Sequence, residues 1–164
     1  MQPYPHTYEV SSSARSVGWV TLASPQLPDI ASAPPPQFGG PGGAWSPETL
    51  LCAAVADCFI LTFRSLSRAA AFEWRHLDCR VEGVLDRVDR VSRFTRYQTT
   101  AKLAVPVGAD RARARDLLER AEHYCLIANS LCGTRSLVAE IVEEPAATNE
   151  AGPSADFSGE TLGG

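Results

Sequence analysis

The chain has 164 residues, 45 % of them apolar and 21 % charged, which is the composition of one globular domain with enough material for a hydrophobic core. Its formal net charge is −4, but five acids and no base lie from Glu143 onward, leaving a nearly neutral body of 15 basic against 14 acidic residues. Such a body lacks the concentrated basic face that nucleic acid requires, so no nucleic-acid partner is expected.

The first segment, "MQPYPHTYEV", has neither the basic start nor the apolar stretch of a secretory signal. Residues 6–24 read as two short strands, "TYEV" and "GWVTLAS", separated by the polar "SSSARS". Residues 25–45, "PQLPDIASAPPPQFGGPGGAW", are dense in proline and glycine and read as a loop, long enough to be functional. A strong helix start follows. Ser46 suits the N-cap, Pro47 the first helical position, and Glu48 the positive end of the helix. Nothing breaks the helix until about Ala71, and its first half is apolar on every side, so it is expected to run through a core. The run Leu50 to Phe63 is interrupted by Asp57 and too short to span a bilayer, so no membrane partner is expected.

Two alternating segments come next. "LDCRVEGVLDRV" places Leu77, Cys79, Val81, Gly83 and Leu85 on one face, and "FTRYQTTAKLAVPV" does the same with Tyr97, Thr99, Ala101, Leu103 and Val105. This is the pattern of a one-sided antiparallel hairpin with its turn near "DRVSR". A second helix runs from about Asp110 to Tyr124 with Ala114, Leu117, Leu118 and Ala121 as its apolar stripe, and "LVAEIVEE" closes the domain as a strand. Residues 144–164 form a polar, acidic tail expected to be disordered. The fold class is therefore α+β, two central helices wrapped by antiparallel sheet. An all-round apolar helix in so small a chain implies that a second copy covers part of it.

Five cysteines, an odd number with no CxxC pair, fit a reducing, cytoplasmic compartment rather than a disulfide scaffold. Cys52 and Cys58 are about 240° apart around the helix and cannot pair. Cys79, on an apolar strand face, reads as core filler, as Cys52 and Cys58 each do when taken alone. Cys125 falls where the second helix gives out, and Cys132, seven residues on, is a reserve candidate. A catalytic thiol must ionise, and Cys58 sits mid-helix beside Asp57, where only a cation brought from elsewhere could help it. Such a cation would need an acid to hold it, and Glu48 begins the same helix. A Cys-His hydrolase built on His123 and Cys125 fails because residues two apart on a helix do not face each other. A zinc site from His123, Cys125 and Cys132 lacks a fourth ligand.

"PPPQFGGPGGAWSPETLLCAAVADCFILTF", with a Cys-Phe ten residues after Glu48, followed by "AEHYCLIANSL", resembles the OsmC/Ohr family of thiol peroxidases over about residues 6–143. The resemblance implies an OsmC-like fold, an intertwined homodimer with sites at the interface, and no cofactor, metal or haem. By position Cys58 matches the peroxidatic cysteine, Cys125 the resolving one, and Glu48 the acid that pairs with the active-site arginine. That arginine lies in the first hairpin turn in one branch of the family, where Arg15 stands here. In the other branch it lies before the central helix, and residues 25–45 contain no arginine. Arg15 is therefore the expected cation. The implied reaction is attack of Cys58 on an organic hydroperoxide, a sulfenic acid, a Cys58–Cys125 disulfide, and reset by a dithiol reductant such as a lipoylated protein. Apolar neighbours such as Phe59 and Phe63 would favour organic hydroperoxides. Leu126 in place of a proline, Asp57 in place of a small residue, and the tail depart from the family pattern. The rival reading is a non-enzymatic homodimer that binds a small apolar ligand and keeps its cysteines as structure.

Overall fold

The structure, a computed structural model, describes residues 3–145, so all but the first two residues of the expected tail lie outside the described residues. Three strands come first: β1 (Ser11–Ala14), β2 (Val20–Ala23) and β3 (Ile30–Ser32), in antiparallel order β1-β2-β3. The strand expected at "TYEV" is not there. Instead the polar Ser11–Ala14 pairs with β2, because register against β2 rather than apolar content decides which residues enter this exposed ladder. The proline-rich segment is not wholly loop either. It contains β3 and a 3-10 turn at Pro36–Phe38, and the Ala33 N–H donates to the Trp45 carbonyl at 2.9 Å, closing the segment onto the helix start.

Helix α1 (Pro47–Ala69) begins as the residues require. The Ser46 side chain accepts from the Thr49 N–H at 3.2 Å, and the Ser46 N–H donates back to Thr49 Oγ1 at 2.8 Å, a reciprocal capping box. At its other end Ala71 takes a left-handed φ of 47°, and the Phe72 N–H reaches the Ser67 carbonyl at 2.9 Å. At 23 residues α1 is long and apolar enough, by length and composition, to cross a membrane, which the shorter apolar run taken alone did not suggest. One face of α1 nevertheless packs on protein: Val55, Cys58, Phe59, Phe63 and Ser67 are buried.

Strands β4 (His76–Val88) and β5 (Val91–Pro106) form the expected antiparallel hairpin, turning at Asp89 and Arg90, both with positive φ as a two-residue turn of this hand requires. The register shifts between Val84 and Leu85, where Thr95 is the extra residue and its hydroxyl donates to the Val84 carbonyl at 3.3 Å. Helix α2 (Arg111–Tyr124) is capped by Asp110 and buries the expected stripe of Ala114, Leu117, Leu118 and Ala121. A short α3 (Leu126–Asn129) leads into β6 (Thr134–Glu144). β6 pairs with β5 in parallel, not antiparallel as a uniform sheet would have it. The helical crossover through α2 and α3 returns the chain to the starting end of β5, which dictates that direction. The main core lies between α1, α2 and the inner face of the β4-β5-β6 sheet, around Phe59, Phe63, Leu103, Val105, Leu117 and Leu118. Trp74 closes it, packing edge-on to Phe63 at 5.4 Å.

Candidate active site

Cys58 comes from the buried face of α1, three residues after Val55. Cys125 is the residue at which α2 stops and α3 begins, with an extended ψ of 103° between two helical stretches. The two meet in a small apolar cluster of their own, Val55, Cys58, Cys125 and Ala128, flanked by Val81, Ile127 and Leu131. Both thiols are free. Cys125 is 1 % exposed, and its Sγ–H donates to the Val55 carbonyl at 3.9 Å. Burial pushes the Cys125 thiol up to about 11; the Ala128 and Ile127 N–H groups oppose this, and the neighbouring Cys58 thiol adds to it.

The other cysteines lie apart. Cys52 faces a different groove, where it abuts Gly83 so closely that a Cβ on that glycine would lie 3.0 Å from its Sγ. Cys79 packs against the main core and is also raised to about 11, chiefly by burial. Cys132 stands exposed in the loop before β6, since α3 ends at Asn129 and does not carry it onto the face of Cys125.

Glu48 lies in the first turn of α1, between two clefts. One, of about 830 Å³, runs under the β4–β5 hairpin and is lined by Trp45, Cys52, Leu85 and Phe94. The other, of about 500 Å³, lies below β2 and β3 with Val20, Leu22, Phe38 and Leu50. Neither is lined by Cys58 or Cys125. Glu48 Oε2 is buried and has no hydrogen-bond partner, an expensive state for a carboxylate oxygen. Arg15, in the connection from β1 to β2, is exposed, and the ion pairs among the described residues include neither Arg15 nor Glu48. Phe59 and Phe63, expected beside the substrate, belong to the sealed core, 1 % and 0 % exposed, and line neither cleft.

The family model of OsmC-like proteins matches residues 40–139. The chain belongs to this family. The uncharacterized protein YmaD of Bacillus subtilis (strain 168) is 26 % identical over 109 residues, which cover 65 % of this chain and 73 % of YmaD. An OsmC-like protein of unknown function from Vibrio cholerae superposes with a TM-score of 0.73 at 15 % identity, over 84 % of this chain and 100 % of that one. An organic hydroperoxide resistance protein OsmC from Legionella pneumophila gives 0.65 at 21 % identity, over 85 % and 98 %. An organic hydroperoxide resistance protein from Elizabethkingia anophelis gives 0.65 at 17 %, over 86 % and 100 %. At these identities the solved structures establish the OsmC-like fold.

Three residues beside Cys125 in this OsmC-like chain escaped the sequence reading. Arg135 Nε lies 3.3 Å from Glu122 Oε1, and Arg135 Nη1 donates to Asn129 Oδ1 at 2.7 Å. Glu122 and Arg135 also line the small void of about 10 Å³ that touches Cys125, Val55 and Ala128. Nothing in local spacing marks them, because Arg135 reaches Glu122 only through the parallel docking of β6.

Proposed function

We propose that this protein is a cysteine-based peroxidase that reduces organic hydroperoxides in the defence against oxidative or osmotic stress. The observation that carries the reading is the meeting of Cys58 and Cys125 in one buried cluster, two thiols brought from a helix interior and a helix break. The Cys58 thiolate attacks the terminal peroxide oxygen, the O–O bond breaks, and the departing alkoxide takes a proton to leave as alcohol. Cys58 is then a sulfenic acid. The Cys125 thiolate attacks the Cys58 sulfur, the S–O bond breaks, and the hydroxyl leaves as water with one proton. The resulting disulfide is reduced by a dithiol, which supplies two electrons and two protons. A reducing, cytoplasmic setting would provide such a dithiol.

The names of the Legionella and Elizabethkingia proteins, both concerned with organic hydroperoxide resistance, support the substrate class. The unpartnered Glu48 Oε2 supports a cation at that point, and Arg15 is the proposed one. In a single chain the two form no ion pair among the described residues. The N-terminal sheet that carries Arg15 packs little on either helix, and 17 % of the most apolar stretch of α1 is buried. We propose that a second copy covers α1, and that intertwining of the N-terminal sheets brings Arg15 to Glu48 and the Cys58 thiol.

Titration with cumene hydroperoxide tests the reading. One equivalent should be consumed per site, with loss of two thiols and a Cys58–Cys125 disulfide on peptide mapping. The large apolar clefts also fit a non-enzymatic binder of a small apolar ligand. That protein would consume no peroxide and retain all five thiols.

A further inference from the structure

The break between α2 and α3 is held in an unusual way. On the α2 side of Cys125 the backbone bond, Cys125 N–H to the Glu122 carbonyl, is long at 3.4 Å, while on the α3 side the Asn129 N–H donates to the Cys125 carbonyl at 2.9 Å. Side chains tie the two sides together. Asn129 Nδ2 donates to the His123 carbonyl at 3.0 Å, one of the carbonyls that the end of α2 leaves without a helical partner. Asn129 Oδ1 accepts from Arg135 Nη1 at 2.7 Å, and the same guanidinium reaches Glu122 Oε1 through Nε at 3.3 Å. The chain of contacts thus runs from Glu122, through Arg135 on β6 and Asn129 on α3, back to His123. It brackets Cys125 on both sides.

This pair differs from the other ion pairs of the described residues. Its side chains are 26 % and 22 % exposed, whereas the others are all 48 % or more. Ion pairs at the surface contribute little, and a half-buried one tied to a second hydrogen bond fixes geometry more firmly. Geometry matters here because a disulfide requires the sulfurs within about 2.05 Å and the Cβ atoms about 3.8 Å apart. Cys58 lies mid-helix in α1 and cannot shift without breaking helical hydrogen bonds, so the approach is made by the Cys125 turn.

We propose that Arg135, Glu122 and Asn129 are positioning residues that hold the Cys125 turn against Cys58 and thereby set the rate of disulfide closure relative to over-oxidation. They act on the second chemical step only: Cys125 sulfur attacks the Cys58 sulfenic sulfur, the S–O bond breaks, and water leaves. With the clamp loosened, the sulfenic acid persists long enough for a second peroxide molecule to oxidise it to the sulfinic acid, releasing another alcohol. The proposal rests on the peroxidase reading above.

The experiment compares the full-length protein with Arg135→Ala, Arg135→Lys, Glu122→Gln and Asn129→Ala, each mixed with cumene hydroperoxide and quenched over time. Peroxide consumed in the first turnover, disulfide by non-reducing peptide mapping, and sulfinic acid by mass are followed together. Arg135→Ala should leave first-turnover consumption within about twofold while slowing disulfide closure about ten- to a hundredfold, the size expected of a misplaced reacting group. Sulfinic acid at Cys58 should accumulate, with Arg135→Lys intermediate because it restores one charged contact. If Arg135→Ala does not fold, Glu122→Gln and Asn129→Ala, which cut other links, must show the same slow closure. Wild-type closure rates in the folded variants would overturn the proposal, as would equal slowing of both steps. A wild-type protein that consumes peroxide without forming the Cys58–Cys125 disulfide overturns it while leaving a peroxidase. One that consumes no peroxide overturns the function itself.

Discussion

Cys58 and Cys125 occupy the same cluster, and the proposed peroxidase gives them different tasks that single substitutions separate. Cys58→Ser is expected to abolish peroxide turnover. Cys125→Ser should permit one attack and leave a sulfenic acid that over-oxidises with excess peroxide, read as successive oxygen additions in the intact mass. The pH dependence follows from burial. With the Cys125 thiol raised to about 11, only about 0.1 % is thiolate at pH 8, so disulfide closure should accelerate about tenfold per unit between pH 8 and 10. A closure rate flat over that range would show that the thiol is not buried when it reacts. The same protonation favours the folded state. Cys125 and Cys79, both near 11 when folded, keep protons that the unfolded chain gives up above about 8.5. Under reducing conditions their contribution is complete below that value and is lost as pH rises toward 11. Denaturation midpoints should therefore fall from pH 8 to 10.5, and less so in Cys79→Ala.

The two ends of α1 fix where Glu48 and Cys58 sit, and both can be tuned. Ser46→Ala removes the hydroxyl that accepts from the Thr49 N–H, at a site 1 % exposed, and should cost about 1 kcal/mol by denaturant unfolding. At the other end Ala71 holds a left-handed conformation that glycine adopts without a side-chain clash. Ala71→Gly should consequently gain about 1 kcal/mol, and a loss there would mean that the helix stop is held by packing instead. Elements with a strong local period were plain in the sequence: the Ser46-Pro47 helix start, the alternating β4–β5 hairpin and the stripe of α2. The N-terminal strands were not. Ser11–Ala14 carries no apolar alternation, and it is a strand only because β2 offers it a register.

Among the exposed large apolar side chains of the described residues is Leu61, 50 % exposed on α1. With Ala54 and Asp57 it forms an outward face of the helix that a single chain leaves uncovered. If a second copy covers it, Leu61→Asp should convert a dimer to a monomer in sedimentation at micromolar concentration and abolish turnover with it. A wild-type monomer that remains active would refute both the dimer and the delivery of Arg15 by intertwining. Arg15→Ala in the dimer should slow peroxide attack about ten- to a hundredfold. Glu48→Ala should do the same to a lesser degree, since in the proposed site it positions the cation and carries the opposing charge.

Local chemistry alone determined the helix that begins at Ser46, the hairpin, the second helix and the order of the motifs, because caps, alternation and periodic apolar positions act over a few residues. Resemblance over the ordered set pointed to the family that the chain proves to belong to. The tertiary structure decided the rest. Parallel pairing of β6 with β5 follows from the helical crossover, and it alone carries Arg135 to Glu122 and Asn129 beside Cys125. Packing of the α2–α3 break against Val55 seals Cys125 and sets its proton affinity. The state of Glu48 was equally hidden in the sequence, because whether a carboxylate finds a partner depends on what the folded chain places around it.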